Sequence, residues 1–521
     1  MDGQSDMSDD WGAFGRPLFE DPSARALSRV GVIDVGSNSV RLVIFDGAAR
    51  SPAYFYNEKI MCGLGAGLGE TGHLNPEGRV RALSAMRRFA AVARAAQVKD
   101  ITIAATAAVR DASDGAAFRK QVEEQTGLKI WVVDGREEAR LSAQGVLLGW
   151  PGSYGLVCDI GGSSMELAEI EGGKVGLRET SNLGPLKLMA VRGGKKGRRR
   201  VIDQNLDRMK AALGDQRNRL FLVGGSWRAF ARIDMDRRGY PLHVLHEYRM
   251  TARDVRATAE YLSTEQDHEA LRQRCHISST RMALVPYASE VLVRLVSRFK
   301  PHDIAVSSYG IREGLLYEQM PERLRDRDPL IEACRFAEAK DARLPGFGQR
   351  LYNFLRPIFP RAKAAETRLI KAACLLHDVS WRAHPDYRAE VCFDAATRAN
   401  LGGLKHAERI FLGLALLHRY KNSREGSRID DLVPMLSEVE IKRAEVLGKA
   451  MRFGAMLWAE AEDMGAELKW APKKKLLSLK LTKGAEPLFG EVVQARFQSL
   501  AAALDAQTEV KISSRGLSHK D

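Results

Sequence analysis

Two short stretches of this sequence share one pattern, in which an apolar run ends in an aspartate and a turn of small residues follows. The stretches are 32–40 and 157–165, and their aspartates, Asp34 and Asp159, stand 125 residues apart (159 − 34). A buried strand that ends in a carboxylate, a tight glycine and serine turn and a second strand together suit a phosphate with a cation beside it. Two such cradles predict two similar halves that face each other across a cleft.

The two turns supply the predicted phosphate ligands, because their backbone N–H groups and hydroxyls can donate to phosphate oxygens. These residues are Gly36, Ser37, Asn38, Ser39, Gly161, Gly162, Ser163 and Ser164. Asp34 and Asp159 are predicted to hold a hydrated Mg²⁺, since this cation takes carboxylate and phosphate oxygens together. The alternative is that each aspartate only caps its own turn, and the duplicated context favours the metal.

The net charge of the chain points to a polyanionic partner. There are 80 Lys and Arg residues against 66 Asp and Glu, which gives +14. Such an excess favours nucleic acid, an anionic membrane or polyphosphate. A generally basic soluble protein is the alternative, and the phosphate cradles favour a polyanion. The basic run 195–200 is either a track for that polyanion or a solvated loop.

No targeting or membrane segment is evident in the sequence. Residues 1–20 are acidic and polar, and no apolar run approaches ~18 residues, so a soluble protein is expected. The six cysteines are scattered without a CxxC pair, which indicates reduced thiols and a cytoplasmic location.

The predicted elements divide the 521 residues into three domains and two loose ends. Residues 1–27 lack apolar periodicity and are expected to be a disordered lead-in. Strands then alternate with helices twice, over 28–148 and 149–320, which indicates a duplicated α/β fold. The apolar spacing of 321–504 is mainly helical, and 505–521 is expected to be a flexible tail.

Glu138 and Arg110 are the candidate catalytic residues. Glu138 stands in the first turn of a predicted helix, where a carboxylate desolvated in a cleft could polarise water. Glutamate in a first turn also complements the helix dipole without any chemistry, and the residues alone leave both interpretations open. Arg110 follows the end of the strand 101–105, which favours a phosphate clamp over a solvated side chain.

Six short motifs in a fixed order resemble those of the exopolyphosphatase and guanosine pentaphosphate phosphohydrolase family. The resemblance covers roughly residues 28–320. The motifs are GVIDVGSNS (31–39), GLGETG (67–72), ATAAVRDA (105–112), GREEARL (135–141), DIGGSSMEL (159–167) and GIREGLL (310–316).

This resemblance implies a duplicated actin-like, sugar-kinase-like (ribonuclease H-like) α/β fold that hydrolyses the terminal phosphoanhydride of polyphosphate with Mg²⁺. It implies that Glu138 is the base that orients the attacking water and that Arg110 binds phosphate. It also adds Glu166 to Asp34 and Asp159 as a metal ligand.

Two residues of the second turn depart from the family pattern. Ser163 stands for the usual third glycine and Met165 for the usual threonine. Met165 cannot donate a hydrogen bond, so the sequence leaves open one phosphate contact that the usual threonine would make. A further turn at 224–226 resembles one that backs a nucleotide, but Trp227 is expected to fill the space of a base, which argues against a kinase or ATPase.

The third domain resembles the all-α, His-Asp phosphohydrolase-like (HD-like) appendage of long family members, through the sequence LLHD at 375–378. A metal site of that kind needs an upstream histidine, and none lies between His302 and His377. A short alternating stretch within 470–483 suggests one hairpin. The polar residues interpreted as structural, or as contacts for a polyanion, are His377, Asp378, His384, His406 and His418.

These features favour a hydrolase, an exopolyphosphatase that releases phosphate from the end of inorganic polyphosphate. A guanosine pentaphosphate 5′-phosphohydrolase is the nearest alternative, and a non-catalytic polyphosphate- or nucleic-acid-binding protein is an alternative of another class. The expected partners are polyphosphate or guanosine pentaphosphate, with no DNA and no integral membrane segment. A homodimer is implied only by the resemblance.

Overall fold

The computed structural model describes residues 29–46, 50, 52–215, 218–427, 429–458 and 465–513. The predicted lead-in at 1–27 lies outside the described residues, as do residues 514–521 of the predicted tail. The chain divides into two compact units, Met1–Pro329 and Leu330–Asp521. The first unit contains two lobes, each built on one sheet.

The first lobe forms around a five-stranded sheet whose central strand is buried on both faces. Helix α2 starts where Asn75 caps the Gly78 amide over 2.8 Å and a proline occupies the first turn. The elements are β1 (Val30–Val35), β2 (Ser39–Asp46), β3 (Ala53–Met61), α1 (Leu68–Thr71), α2 (Pro76–Ala95), β4 (Asp100–Ala105), α3 (Ala107–Asp111), α4 (Gly115–Thr126), β5 (Trp131–Val132) and α5 (Gly135–Gly149).

The second lobe forms around a six-stranded sheet with a larger set of helices. Its elements are β6 (Gly155–Ile160), β7 (Met165–Glu171), β8 (Lys174–Ser181), α6 (Pro185–Met189), α7 (Gly194–Leu213), β9 (Arg219–Val223), α8 (Gly225–Arg237), β10 (Arg249–Met250), α9 (Ala252–Thr264), α10 (His268–Arg274), α11 (Ser279–Met282), α12 (Val285–Phe299), β11 (Asp303–Val306), α13 (Ile311–Glu318) and α14 (Glu322–Arg325).

The two sheets share one topology. The strand order is β3-β2-β1-β4-β5 in the first lobe and β8-β7-β6-β9-β11 in the second, where β10 is added at the edge. In each sheet the first hairpin is antiparallel, and its first strand pairs in parallel with the next strand of the sheet. The predicted duplication of an α/β, actin-like fold is therefore confirmed.

Helices α5 and α13 connect the lobes. Helix α5 follows the first sheet in sequence but packs against β6, β7 and β8, and α13 packs against α5 and β1. The two helices touch backbone to backbone, since a Cβ on Gly145 would overlap the Gly310 carbonyl and one on Gly314 would overlap the Leu141 carbonyl. The predicted lobe boundary at 148/149 thus falls at the end of a helix that packs on the second sheet.

The second unit is mainly helical and carries a small sheet. The strand order is β12-β13-β14, antiparallel and then parallel. The elements are α15 (Pro329–Asp341), α16 (Phe347–Leu355), α17 (Ala364–Leu376), α18 (Pro385–Arg398), α19 (His406–Tyr420), α20 (Glu438–Trp458), β12 (Ala466–Ala471), β13 (Leu476–Thr482), α21 (Glu491–Ala503) and β14 (Gln507–Ser513).

Two details of the sequence prediction are corrected by the strands. The second unit is not all-α because of this sheet, although the predicted hairpin is present as β12 and β13. Residues 507–513 belong to β14 rather than to a flexible tail; their mostly exposed side chains give no pattern, and the pairing with β13 fixes them.

All six cysteines are buried free thiols. Within the described residues, none of the helices combines the length and the apolar character needed to cross a membrane.

Candidate active site

The two small-residue turns have the same geometry. The Gly36 amide donates to the Ser39 carbonyl and the Gly161 amide to the Ser164 carbonyl, each over 3.0 Å. Amides of a tight turn that lack a partner are donors available to an anion. Four amides of these turns find no acceptor in the part of the chain that the structure describes, those of Ser37, Asn38, Gly162 and Ser163.

Each turn is held in place by a backbone carbonyl that accepts hydrogen bonds from other segments of its lobe. The Asn38 carbonyl accepts from the amides of Cys62 and Gly63, over 3.0 and 2.9 Å. In the second lobe the Gly162 carbonyl accepts from the Leu186 amide over 2.9 Å. The carbonyls are thereby satisfied within the protein, and the amides remain for a ligand.

The two departures from the family pattern do not damage the second turn. Ser163 is absent from the non-glycine residues with positive φ in the described chain, so a serine fits there without strain. Met165 begins β7 and is fully buried in the core of the second lobe, as its counterpart Val40 is in the first. The Met165 side chain therefore faces the core of the second lobe rather than the turn.

Glu138 combines burial with an unused oxygen. It lies in the first turn of α5, whose cap Asp134 accepts from the Glu137 amide over 2.8 Å. Its Oε2 is buried and has no hydrogen-bond partner among the described residues. Burial, followed by the charges of Glu166 and Asp159, raises the pKa of Glu138 well above the ordinary carboxyl value. A raised pKa makes the carboxylate a stronger base toward a bound water.

Asp159 and Glu166 face each other in the register of β6 and β7. The Ser142 hydroxyl of α5 donates to Asp159, and the Thr180 hydroxyl donates to Glu166 Oε1 over 3.2 Å. Glu166 Oε2 is buried and finds no partner in the described chain. Burial raises the pKa of both carboxyls, and the charge of Asp159 raises that of Glu166 further.

Asp34 lies at the end of β1 and shares this electrostatic environment. Burial raises its pKa, while the positive charges of Arg312 and Arg41 oppose the rise. In turn its charge contributes to the raised pKa of Glu138 and of Asp159. The aspartates of the two turns therefore act on each other across the lobes.

Arg110 stands beside Glu138 at the end of α3. Its Nη1 is 4.0 Å from Glu138 Oε2 and donates to the Val133 carbonyl over 3.1 Å, while its Nε donates to Asp111 over 3.0 Å. Its charge lowers the pKa of Glu138 against the effect of the acidic neighbours. The predicted base and the predicted clamp are thus neighbours.

Five further cations belong to this environment, and sequence reasoning missed them: Arg41, Lys59, Arg228, Arg281 and Arg312. Burial, and then repulsion from the arginines, lowers the pKa of Lys59, and burial lowers that of Arg228 to about 10. Each comes from a different element and stands alone in the sequence. Only Arg41 had a signal, since it is the counterpart of Glu166 in the repeat.

Arg312 and Glu313 are neighbours in the first turn of α13, and the charge of Glu313 acts on Arg312. The Glu313 carboxylate accepts from the Gly310 amide and from the Tyr54 hydroxyl of the first lobe, each over 2.8 Å. Arg312 Nη1 is buried and has no hydrogen-bond partner in the described ranges. This nitrogen is therefore a donor that is available to a ligand between the lobes.

The turn after β9 is covered by an arginine rather than by a tryptophan. The Arg281 guanidinium occupies the space where a side chain on Gly225 would lie. Trp227 is fully buried in the core of the second lobe. The side chain that lies beside Gly225 is therefore that of Arg281.

The carboxylates fit a divalent cation that other ligands complete. Glu138 and Glu166 each have a buried oxygen without a partner among the described residues, and the acidic groups raise one another's pKa. A nearby cation would relieve this repulsion. Among the described residues, no three His, Cys, Asp or Glu side chains form a group that could hold a metal ion by themselves. Water and phosphate oxygens would have to supply the rest of the coordination, as they usually do for Mg²⁺ in proteins.

In the second unit, the His-Asp pair is held by an arginine. Arg343 donates to both oxygens of Asp378, from Nε over 2.8 Å and from Nη2 over 2.6 Å. His377 is buried, and its Nδ1 lies 2.8 Å from the Cys374 carbonyl. His384 accepts from the Asp386 amide over 3.3 Å at the start of α18. These contacts agree with the structural interpretation of the histidines.

The duplicated sheets and their paired turns define an actin-like α/β protein with two lobes. The chain belongs to the Ppx/GppA phosphatase family, which matches residues 43–323, more than half of its length. Residues 343–510 match the family described as exopolyphosphatase, C-terminal. The resemblance drawn from six motifs is therefore confirmed.

Known relatives carry different names. "Retrograde regulation protein 2" of Saccharomyces cerevisiae is 26% identical over 437 residues, which is 75% of this chain and 72% of that protein. "Exopolyphosphatase 1" of Mycobacterium bovis is 31% identical over 143 residues, 27% of this chain and 42% of that protein. The crystal structure of an exopolyphosphatase from Cytophaga hutchinsonii is 24% identical, with a TM-score of 0.50 over 56% of this chain and 97% of that one. This last likeness supports the fold alone.

Proposed function

We propose that this chain is an exopolyphosphatase that hydrolyses the terminal phosphoanhydride of inorganic polyphosphate with Mg²⁺ as cofactor. The observation that carries the proposal is the buried Glu138 carboxylate, with one unused oxygen, 4.0 Å from Arg110. A site that only binds phosphate has no use for a desolvated carboxylate of raised pKa, because it would repel the ligand.

The residues of the cleft would have three different roles in this reaction. The amides of the two turns and Arg110 would hold the terminal phosphoryl group, and Glu138 would orient a water and accept its proton. Asp34, Asp159 and Glu166 would hold Mg²⁺, which would neutralise phosphate oxygens. Positioning and charge stabilisation suffice for this reaction, because phosphoryl transfer asks little covalent chemistry of the protein.

The cations of the cleft support a substrate with several phosphates. Lys59, Arg228 and Arg281 come from three elements, and burial lowers the pKa of each. Clustered cations of this kind are stabilised by a ligand with repeated negative charge. They favour a polyphosphate chain or the triphosphate of a nucleotide over a simple monoester.

The test compares Glu138→Gln with Glu137→Gln, a matched change at the next residue, whose side chain is bound by Arg140 over 2.9 and 2.6 Å. Phosphate release from long polyphosphate should fall by ~10²–10⁴ in Glu138→Gln, with binding retained, and should change little in Glu137→Gln. Release at near wild-type rate in Glu138→Gln would show that the base is assigned wrongly.

The nearest alternative substrate is guanosine pentaphosphate. The ratio of kcat/KM for long polyphosphate to kcat/KM for that nucleotide separates the two. A ratio above one supports the exopolyphosphatase, and a ratio below one supports the nucleotide 5′-phosphohydrolase.

A regulatory protein without catalysis is a second candidate. It is favoured by the similarity, over most of both chains, to a yeast protein named for regulation. Purified chain that binds polyphosphate but releases no phosphate from any phosphoanhydride in the presence of Mg²⁺ would establish this alternative.

A further inference from the structure

Three arginines of the second unit come from three helices that pack together. Arg419 lies near the end of α19, Arg452 in α20 and Arg496 in α21. Helices α19 and α20 are in close contact, since a Cβ on Gly448 would overlap the Cβ of His418. Arg419 follows His418 directly, and Arg452 lies one turn beyond Gly448 on the same face.

Helix α21 brings the third arginine to the same place. The rings of Phe453 and Phe497, each next in sequence to one of the arginines, have their centroids 5.0 Å apart. The Ser499 hydroxyl donates to Asn422 Oδ1 over 3.0 Å, which ties α21 to the chain just past α19.

The three guanidinium groups have unused donors. Arg419 is only 7% exposed. Its Nε, Arg452 Nη1 and Arg496 Nε are buried and have no hydrogen-bond partner among the described residues. The charge of Asp378 acts on Arg419, but both oxygens of Asp378 are already bound by Arg343.

This arrangement is costly as it stands. Burying a charge without a partner is unfavourable, and leaving its donors unsatisfied adds to the cost. Burial, followed by the charges of Arg496 and Arg419, lowers the pKa of Arg452 to about 10. An anion among the three side chains would remove both penalties.

We propose that Arg419, Arg452 and Arg496 form a binding site for a phosphoryl oxyanion in the second unit. The guanidinium fork matches the oxygens of phosphate and bonds them more strongly than neutral groups do. Inorganic phosphate and one unit of a polyphosphate chain share this chemistry. The proposal does not depend on catalysis by the first unit.

Hydrogen exchange on the full chain locates the binding. Inorganic phosphate or, in EDTA, tripolyphosphate should slow amide exchange in peptides of α19, α20 and α21. The slowing should disappear in Arg452→Gln and in Arg496→Gln and persist in Arg398→Gln, an exposed arginine of α18. Equal potency of the two probes indicates a site for one phosphate, and tenfold higher potency of tripolyphosphate indicates a site for the chain.

Thermal unfolding is an independent test, because the substitution should raise the unfolding temperature without anion and reduce the stabilisation by phosphate. Without anion, Arg452→Gln should unfold at a higher temperature than the parent chain, because the repulsion of Arg452 by Arg419 and Arg496 is removed. Added phosphate should raise the unfolding temperature of the parent chain by more than that of the variant. The proposal is overturned if neither probe slows exchange in these helices, if slowing survives in both variants, or if Arg452→Gln is less stable without anion.

Discussion

The two turns of the repeat share a backbone but differ in the charge that faces their aspartates. The strand register places Arg41 opposite Asp34 in the first lobe and Glu166 opposite Asp159 in the second. The closing hydrogen bond of each turn is the same, over 3.0 Å. The duplication thus supplies the amides twice, while the charge beside them has reversed sign.

This difference indicates a division of labour between the lobes. The first lobe balances its aspartate with Arg41 and adds Lys59, which suits the oxygens of a phosphate. The second lobe places Glu166 beside Asp159, close to Glu138, which suits a cation and a water molecule. We infer that the lobes hold opposite sides of one reacting group rather than two equal phosphates.

Among the variants that test this difference between the lobes, Glu166→Gln should have the largest effect on activity. Removal of one charge from the acidic group would weaken Mg²⁺ binding, so kcat should fall by ~10²-fold and the Mg²⁺ concentration for half activity should rise. Kinetics at varied Mg²⁺ measure both quantities. An unchanged Mg²⁺ requirement would contradict the assignment of Glu166 to the Mg²⁺ site.

Arg41→Gln, at the matching position of the first lobe, should have a smaller effect of another kind. Loss of a phosphate contact should raise KM for polyphosphate by ~10-fold, since a charge-assisted hydrogen bond is worth about 1.5–3 kcal/mol. The dependence on Mg²⁺ should stay as in the parent chain. If both matched variants changed the same kinetic constant, the lobes would not differ in role.

The pH dependence of stability should also reflect the acidic group. The folded-state pKa of Glu138, Glu166, Asp159 and Asp34 is raised, so the stability that their protons contribute is present below the ordinary carboxyl range. It is lost as the pH rises through the folded pKa, about 8 for Glu166.

Without divalent cation, the urea midpoint of the parent chain should therefore fall between pH 5 and 8 by more than that of Glu166→Gln. Urea unfolding at three pH values, followed by tryptophan fluorescence, measures the difference. Parallel curves for the two proteins would contradict the raised pKa.

Met165→Thr, which restores the family residue in the second turn, should have the smallest effect. The side chain is buried in the core, so the change should leave kcat and KM within about twofold and lower stability by ~1–3 kcal/mol, the usual cost of an unpaired buried hydroxyl. A gain in affinity for polyphosphate would show that this position does reach the ligand.

Much of the first unit could be predicted from the sequence because its signals are local. The aspartate and glycine turns, the alternation of strands and helices and the start of α5 at Asp134 are short patterns with one structural meaning. Glu138 and Arg110 could be placed at the sheet edge because each lies in a helix that begins within three residues of the end of a strand.

The cations of the cleft could not be predicted, since each comes from a different element and stands alone in the sequence. Lys59 is one charged residue in an exposed edge strand, and Arg281 lies in a four-residue helix. Only the assembled lobes show that they act on one another. Strand β14 was missed for the same reason, because its pairing partner lies 31 positions earlier in the chain (507 − 476).

The contact of α5 with α13 constrains how the cleft can move. At Gly145 and Gly314 no side chain separates the two backbones, so one helix cannot slide along the other without a clash. The remaining freedom is a change of crossing angle, a pivot. Glu138 is carried by α5 and Arg312 by α13, so the same rotation that opened the cleft would draw the proposed base away from a cation of the phosphate site. Product release and disassembly of the site would then be a single movement, and no separate lid would be required.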